Sequence, residues 1–159
     1  EDGRDFWQGL FKALKCYQGR RNTKVLIVDD NLLLASLLQI MLEDEGYETR
    51  CAGDGQEGYA GYLFFRPDVV ITDLHMPRAN GLELMKKIRR LNPGVKTIYM
   101  SGDLSPFSAL LQEEVSRYPV SILSKPFSKE DLLNLLAEFG NGGKGKFPPA
   151  SPEPRRAAE

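Results

Sequence analysis

The sequence predicts an α/β domain built on a doubly wound parallel sheet, and two of its features carry this prediction. Short apolar runs rich in valine and isoleucine alternate five times with segments of helical period. Parallel strands are joined by right-handed crossovers, so the intervening helices are expected to cover both faces of one sheet. Three of the apolar runs stop at charged residues, which predicts a polar edge at the carboxyl ends of the strands.

The first half of the domain is expected to form three strands and two helices. Val25-Leu26-Ile27-Val28 predicts a strand at residues 24–28, and the leucine-rich stretch after it predicts a helix at about residues 31–45. The second strand, the second helix and the third strand are expected at residues 47–51, 55–65 and 68–72. The apolar positions of the first helix are interpreted as its buried face: Leu32, Leu33, Leu34, Leu37, Leu38, Met41 and Leu42.

The second half is expected to add three helices and two strands. The helices are predicted at about residues 80–91, 105–117 and 128–139, and the strands at residues 95–100 and 119–123. Asn92-Pro93-Gly94 is a turn signal that ends the third helix. Two helix starts have capping signals, an N-cap Ser105 before Pro106 and a capping box formed by Ser128 and Asp131.

The 159 residues are sufficient for one domain with appendages. The domain is expected at residues 23–139, after an amphipathic extension and linker at residues 1–22. Residues 140–159 are rich in glycine and proline and are expected to stay disordered, because they have little apolar surface to bury. The chain does not begin with methionine, so a processed chain or a fragment of a longer protein is expected.

The N-terminal stretch has an apolar face that permits several interpretations. A short membrane-surface helix fits its pattern, but the stretch is short and contains Gly9, so lipid binding would be weak. Packing on the domain, packing on a second copy of the chain, or continuation of an upstream region are the favoured interpretations. The apolar face consists of Phe6, Trp7, Leu10, Phe11 and Leu14.

Composition argues against several classes of partner. Lys and Arg total 21 against 22 Asp and Glu, so no overall field attracts nucleic acid or an anionic membrane, and no helix-turn-helix or basic recognition helix is evident. Cys16 and Cys51 are too few and too far apart for a disulfide framework, which favours a reducing cytoplasm. The longest apolar stretch, residues 32–42, is too short to cross a bilayer, and no signal peptide is visible.

Charged residues follow the first, third and fifth predicted strands. Asp29 and Asp30 follow the first strand, Asp73 follows the third, and Lys125 follows the fifth. In a doubly wound sheet, ligands bind beyond the carboxyl ends of the strands at the switch point of the strand order. These acids and the lysine are therefore expected to meet at one edge, where they would form a cation and phosphoryl site. Helix capping by the first two acids and a solvated lysine are the structural alternatives.

The chain from about residue 24 to residue 139 resembles the receiver domain of two-component response regulators. The resemblance rests on the acidic pair Asp29-Asp30, the turn from Asp73 through Met76-Pro77 to Gly81, Ser101 at the end of the fourth strand, and Lys125-Pro126 at the end of the fifth. It implies a flavodoxin-like (βα)5 fold with strand order 2-1-3-4-5. It also implies a cis peptide bond before Pro126.

The resemblance implies a Mg²⁺ site, because clustered carboxylates need a compensating cation. Asp30 and Asp73 would bind the ion directly together with the backbone carbonyl of His75, and Asp29 would act mainly through water. The ring of His75, the only histidine, has too few partners for a zinc cluster or a catalytic triad. His75 is interpreted as a substitution that tunes access to Asp73.

The resemblance also implies that Asp73 accepts a phosphoryl group from a phosphohistidine or a small phosphodonor. Lys125 would neutralise one phosphoryl oxygen, while the Ser101 hydroxyl and the amide of Leu74 or Gly102 would bind the others. The chain departs from the family at Ile122, where an aromatic residue normally turns inward upon activation. Ser101 is still expected to close on the phosphoryl group. This change is then expected to reach the fourth helix and the fifth strand through aliphatic repacking or a weaker rearrangement.

Three functions stay open at this stage. The first is a phosphoacceptor signalling module, freestanding or excised from a hybrid kinase, since no output domain follows residue 139. Its partners would be a histidine kinase or a histidine phosphotransfer protein docking near the first helix, an unknown downstream protein, and a second copy in a homodimer. The second is an aspartyl-phosphate hydrolase. The best-known family of such enzymes has a second acid two positions after the nucleophile, and here that position holds His75, which counts against this function. The third is a phosphorylation-independent scaffold, which Ile122 leaves open.

Overall fold

The computed structural model describes residue 6, residues 8–10 and residues 23–140. The expectations for residues 1–22 and 140–159 lie almost wholly outside these residues and stay predictions. Within residues 23–140 strands and helices alternate in this order: β1 (Lys24–Val28), α1 (Leu32–Asp44), β2 (Glu48–Ala52), α2 (Gly55–Phe65), β3 (Val69–Asp73), α3 (Gly81–Leu91), β4 (Lys96–Ser101), a 3-10 turn (Ser105–Phe107), α4 (Ser108–Arg117), β5 (Val120–Ser124) and α5 (Lys129–Gly140).

The strands form one parallel sheet in the order β2-β1-β3-β4-β5, which confirms the predicted topology. Alternate strand residues face opposite sides of a sheet, so each face builds its own core. Apolar residues of α2, α3 and α4 pack on one face, and those of α1 and α5 pack on the other. This arrangement brings the ends of β1 and β3 together at the centre of the sheet.

The predicted buried face of α1 is only partly right. Leu38 and Leu42 are buried with Ala35, whereas Leu32, Leu33 and Leu37 are 65%, 83% and 53% exposed. A helix that packs on one face of a sheet buries a single stripe of its surface. The sequence has apolar residues around more of the helix than that stripe can hold, so several leucines face solvent.

The start of the fourth helical segment also differs from the prediction. Ser105 is not an N-cap, because it is the first residue of the 3-10 turn and the position before it, Leu104, makes no side-chain cap bond. The amide of Ser105 instead donates to Oδ1 of Asp103 at 3.0 Å. The capping box at α5 is confirmed: the Ser128 amide donates to Asp131 Oδ2 at 2.9 Å, and the Asp131 amide donates to Ser128 Oγ at 3.1 Å.

Gly81 starts α3 in close contact with the end of β3. A Cβ atom at this position would lie 2.5 Å from the carbonyl oxygen of Asp73 and 3.1 Å from the side chain of Thr72. We expect Gly81→Ala to lower the free energy of unfolding by about 1–3 kcal/mol, because the backbone must shift to accept the methyl group. Gly94→Ala is the matched control, since its Cβ would meet only Asn92 Oδ1 at 3.5 Å. Equal thermal unfolding midpoints for the two variants would contradict this prediction.

Candidate functional site

Three carboxylates meet where β1 and β3 end. Asp29 follows β1 and is fully buried, Asp73 is the last residue of β3 and is 7% exposed, and Asp30 lies on the surface beside them. One ligand oxygen from each of the three acids lies within 4.8 Å of the others. The predicted meeting of these acids at one sheet edge is therefore what the structure contains.

Two of these acids are fixed by backbone amides that the sequence reasoning did not single out. Oδ1 of Asp29 accepts from the Asn31 amide at 2.8 Å, and Oδ1 of Asp73 accepts from the His75 amide at 3.0 Å. Both bonds join an aspartate to the amide two residues later, which is an Asx turn. An aspartate at the end of an apolar run is the sequence signal that could have predicted them.

Lys125 bridges the two buried acids from the end of β5. Its Nζ donates to Asp73 Oδ2 at 3.0 Å and to Asp29 Oδ2 at 3.2 Å. Its amide donates to the carbonyl oxygen of Ser101 at 2.8 Å, which ties the start of this loop to β4. The peptide bond to Pro126 is cis, as the resemblance implies. The lysine is therefore a part of the site and not a solvated surface residue.

The charges of the cluster are only partly balanced. Burial raises the pKa of Asp29, and the neighbouring charge of Asp73 adds to this, against the lowering effects of the Asn31 amide and Lys125. Burial lowers the pKa of Lys125, but the hydrogen bond to Asp73 and the charges of both acids outweigh it, so the pKa is raised. Three carboxylates and one ammonium group leave a surplus of negative charge that a cation would compensate. The carboxylate oxygens are hard donors and fit a hard divalent cation.

The remaining predicted residues, Ser101, Leu74 and Gly102, differ in their hydrogen bonds and exposure. Ser101 ends β4, and its Oγ donates to the Asp103 carbonyl oxygen at 2.7 Å and accepts from the Asp103 amide at 3.0 Å. The Leu74 amide donates to the Met100 carbonyl oxygen at 3.0 Å, so a group bound at Asp73 would have to compete with this sheet bond. Gly102 is exposed, and a Cβ atom there would have no neighbour within 4 Å.

The ring of His75 faces the loop after β4. Its Nε2 lies 3.0 Å from the Asp103 carbonyl oxygen, and the ring contacts Phe107 edge-on with the ring centres 5.0 Å apart. The Asp103 carbonyl oxygen thus accepts bonds from both Ser101 and His75. This loop carries the chain from the site to α4.

The switch position of the resemblance holds a buried aliphatic residue. Ile122 is 3% exposed in β5 and lies opposite Tyr99 of β4 in the strand register. Tyr99 is fully buried. The aromatic side chain of this region is therefore on β4 and not on β5.

A parallel five-stranded sheet in this order defines a flavodoxin-like domain, and its carboxyl edge has a lysine and three carboxylates close enough together to share a metal ion. Residues 25–137 match the response regulator receiver domain. The chain belongs to this family, whose members are signalling modules of two-component systems. Receiver domains generally bind Mg²⁺ and interact with histidine kinases or phosphotransfer proteins.

The curated relatives are bacterial regulatory proteins. The chain is 31% identical to the transcriptional regulatory protein TrcR of Mycobacterium tuberculosis over 71% of this chain and 43% of that protein. It is 30% identical to the DNA-binding response regulator MtrA of Mycolicibacterium paratuberculosis over 69% of this chain and 48% of that protein. The chain therefore spans about half the length of these curated relatives.

Solved structures with the same fold match most of the chain. The chemotaxis protein CheY4 of Vibrio cholerae is 33% identical, with a TM-score of 0.67, over 73% of this chain and 97% of that one. A CheY-like receiver domain protein of Methanospirillum hungatei is 28% identical, with a TM-score of 0.68, over 76% of this chain and 94% of that one. Among the residues that the structure describes, no helix has the length and apolar character needed to span a membrane.

Proposed function

We propose that this chain is the phosphoacceptor module of a two-component phosphorelay and that Asp73 takes the phosphoryl group. The observation that carries the proposal is the environment of one carboxylate. Asp73 is held by the His75 amide on Oδ1 and by the Lys125 ammonium group on Oδ2, within a cluster of acids at the sheet edge. A nucleophile fixed in this way needs little reorganisation before it attacks.

The reaction is an in-line displacement at phosphorus. A carboxylate oxygen of Asp73 forms the new P–O bond, the P–N bond to the donor histidine breaks, and the released imidazole nitrogen takes up a proton. Lys125 neutralises charge on the transferred group, and the Ser101 hydroxyl and the Gly102 amide bind its other oxygens. Ser101 must give up its bond to the Asp103 carbonyl oxygen before its hydroxyl can donate to the phosphoryl group.

Asp30, Asp73 and the backbone carbonyl of His75 would hold Mg²⁺, with Asp29 acting through water. The oxygen donors and the surplus of negative charge suit this ion. When bound, Mg²⁺ supplies positive charge that offsets the repulsion between the acids and the incoming phosphoryl group. Asp29, which is buried and bonded to Lys125, keeps the lysine directed at Asp73.

The proposal is tested on the full chain with acetyl phosphate and Mg²⁺, with intact mass as the measurement. We expect one phosphoryl adduct that is lost after hydroxylamine treatment, as an acyl phosphate is, and that does not form when EDTA removes the metal. A chain that gains no adduct from acetyl phosphate or phosphoramidate would contradict the proposal. It would favour the phosphorylation-independent scaffold, for which Ile122 at the switch position is the specific observation.

The surface of α1 supports docking of a histidine-containing phosphodonor protein. Leu33, Leu37 and Ile40 are 83%, 53% and 66% exposed, and their spacing places them along one side of the helix. The helix begins at Leu32, directly after the acidic pair and its Asn31 cap. An apolar strip beside the acceptor is suited to hold a donor helix whose phosphohistidine must reach Asp73.

We expect Leu37→Asp to slow phosphotransfer from a phosphorylated histidine phosphotransfer protein that phosphorylates the parent chain. The loss should be tenfold or more, because the change places a charge on an exposed leucine that docking would bury, and an effect of about 1.4 kcal/mol corresponds to tenfold. The rate with acetyl phosphate should not change. Leu63→Asp is the matched control, since Leu63 on α2 is 50% exposed. Equal rates for the two variants would contradict this docking surface.

A further inference from the structure

Helix α4 is attached to the sheet by a buried polar network. The hydroxyl of Tyr99 on β4 donates to Oε2 of Glu114 on α4 at 2.8 Å, and Nη1 of Arg89 on α3 forms an ion pair with the same oxygen. Nη2 of Arg89 also donates to Thr97 Oγ1 at 3.1 Å, and the guanidinium group lies 4.2 Å from the centre of the Tyr118 ring. Arg89 is 6% exposed and Tyr99 is fully buried.

The apolar attachment of α4 is slight by comparison. Of its residues, all of which the structure describes, Leu111 is the only one that is fully buried. A groove of about 660 Å³ lies between α3 and α4, and Arg89, Glu114 and Tyr118 are among the residues that line it. Because Leu111 and the partly buried Val115 are the apolar residues of α4 that pack against this core, the bonds of Glu114 are a principal restraint on its position.

Both ends of this restraint are connected to the acceptor site. Tyr99 lies two residues before Ser101 on β4, so both side chains emerge on the same face of the sheet. Ser101 also binds both backbone polar groups of Asp103, in the loop that leads to α4. When the Ser101 hydroxyl turns toward a group on Asp73, its bond to the Asp103 carbonyl oxygen is lost. The Asp103 carbonyl oxygen then retains the bond to the His75 ring, so the start of α4 is held less firmly while Glu114 still holds its middle.

We propose that Glu114, bonded to Tyr99 and Arg89, is a positioning residue that holds α4 in the resting state and is released when the acceptor site is occupied. This proposal rests on the proposed function of Asp73 as the phosphoacceptor. In this proposal the acceptor site is coupled to α4 through polar groups of β4 and α4. Ile122 on β5 is aliphatic and has no polar group that could provide this coupling. A hydrogen bond of 2.8 Å weakens steeply as its atoms separate, so a small shift of α4 is sufficient to break it.

The chemistry of Tyr99 suits a restraint of this kind. Burial is the largest cause that raises the pKa of Tyr99, and the nearby carboxylate of Glu114 adds to it, so the hydroxyl keeps its proton and donates. If the bond exists in the resting state alone, its removal shifts the population toward the occupied state. The affinity for a phosphoryl mimic then rises by the factor by which the population of the occupied-state conformation rises, because binding and conformation are linked.

The test uses the full chain with Mg²⁺ and beryllium fluoride, a mimic of the aspartyl phosphate. We expect Tyr99→Phe, which removes only the hydroxyl, to bind the mimic about three- to tenfold more tightly than the parent in calorimetric titration. Hydrogen exchange of the α4 amides should rise in the parent when the mimic binds. In the variant, exchange of these amides should already be raised without the mimic. A purely structural role for Tyr99 would raise the exchange but would leave the mimic affinity unchanged.

Two further variants keep the outcome decisive. Tyr62→Phe changes a buried tyrosine of α2 outside the network, and its mimic affinity should equal that of the parent. Glu114→Gln retains an acceptor for Tyr99 but loses the ion pair, and its affinity should lie between those of the parent and Tyr99→Phe. An unchanged or weaker affinity in Tyr99→Phe would overturn the restraint and leave the acceptor proposal intact. A parent chain that fails to bind the mimic would overturn both.

Discussion

Asp73→Asn is expected to abolish phosphorylation of the chain by acetyl phosphate. The amide lacks the anionic oxygen that attacks phosphorus, so the adduct should fall below detection at Mg²⁺ and donor concentrations that modify the parent fully. The fold should survive the change because the two side chains have nearly the same shape. The amide oxygen can still accept from the His75 amide, and Lys125 retains its bond to Asp29. The measurement is intact mass, with thermal unfolding as the check of folding.

Asp44→Asn is the matched control for this change. Asp44 ends α1, its side chain is 79% exposed, and its nearest ammonium group, that of Lys129, is 3.8 Å away. This variant should be phosphorylated at the rate of the parent. An adduct that persists in Asp73→Asn would move the acceptor to another acid, and Asp30, exposed beside the cluster, would be the next to replace.

The sequence predicted the sheet and the cluster because local signals and topology agree there. The apolar runs end at the residues where the strands end, so the alternation of strands and helices was enough to bring Asp29, Asp73 and Lys125 to one edge. The capping box of Ser128 and Asp131 is equally local, since its two residues are three positions apart. Predictions of this kind need only a short stretch of chain and the handedness of its connections.

Where the prediction failed, the missing information was which surface each helix buries. The leucines of α1 occur around the helix, and the sheet contacts the side that holds Leu38 and Leu42, so Leu33 and Leu37 remain outside. The network of α4 was not predicted for a related reason. Arg89 and Glu114 are 25 residues apart, and a charged residue on a helix is usually solvated. Only the packing of α3 against α4 shows that Arg89 is buried and that Glu114 is partly buried beside it.

Arg89→Met is expected to destabilise the domain by about 3 kcal/mol, because it removes one partner of a buried ion pair. The side chain of Glu114 is 20% exposed, so part of its charge would be hydrated and the loss should lie at the lower end of the range for such pairs. Tyr99 would still donate to Glu114, but Thr97 and Tyr118 would lose their contacts with the guanidinium group. The measurement is urea unfolding followed by circular dichroism, with the slope compared between variants.

Arg117→Met is a close control on the neighbouring helix α4. Arg117 pairs with Glu113 at 3.0 Å, but their side chains are 64% and 52% exposed, so the loss should be about 0.5 kcal/mol or less. If burial of the charge is the cause, the double variant Arg89→Met/Glu114→Leu should recover much of the stability lost in Arg89→Met, because no charge is then left unpaired. A double variant less stable than the single one would instead show that the bond from Tyr99 to Glu114 holds α4, since this bond is lost only in the double variant. Equal losses for Arg89→Met and Arg117→Met would contradict a buried pair.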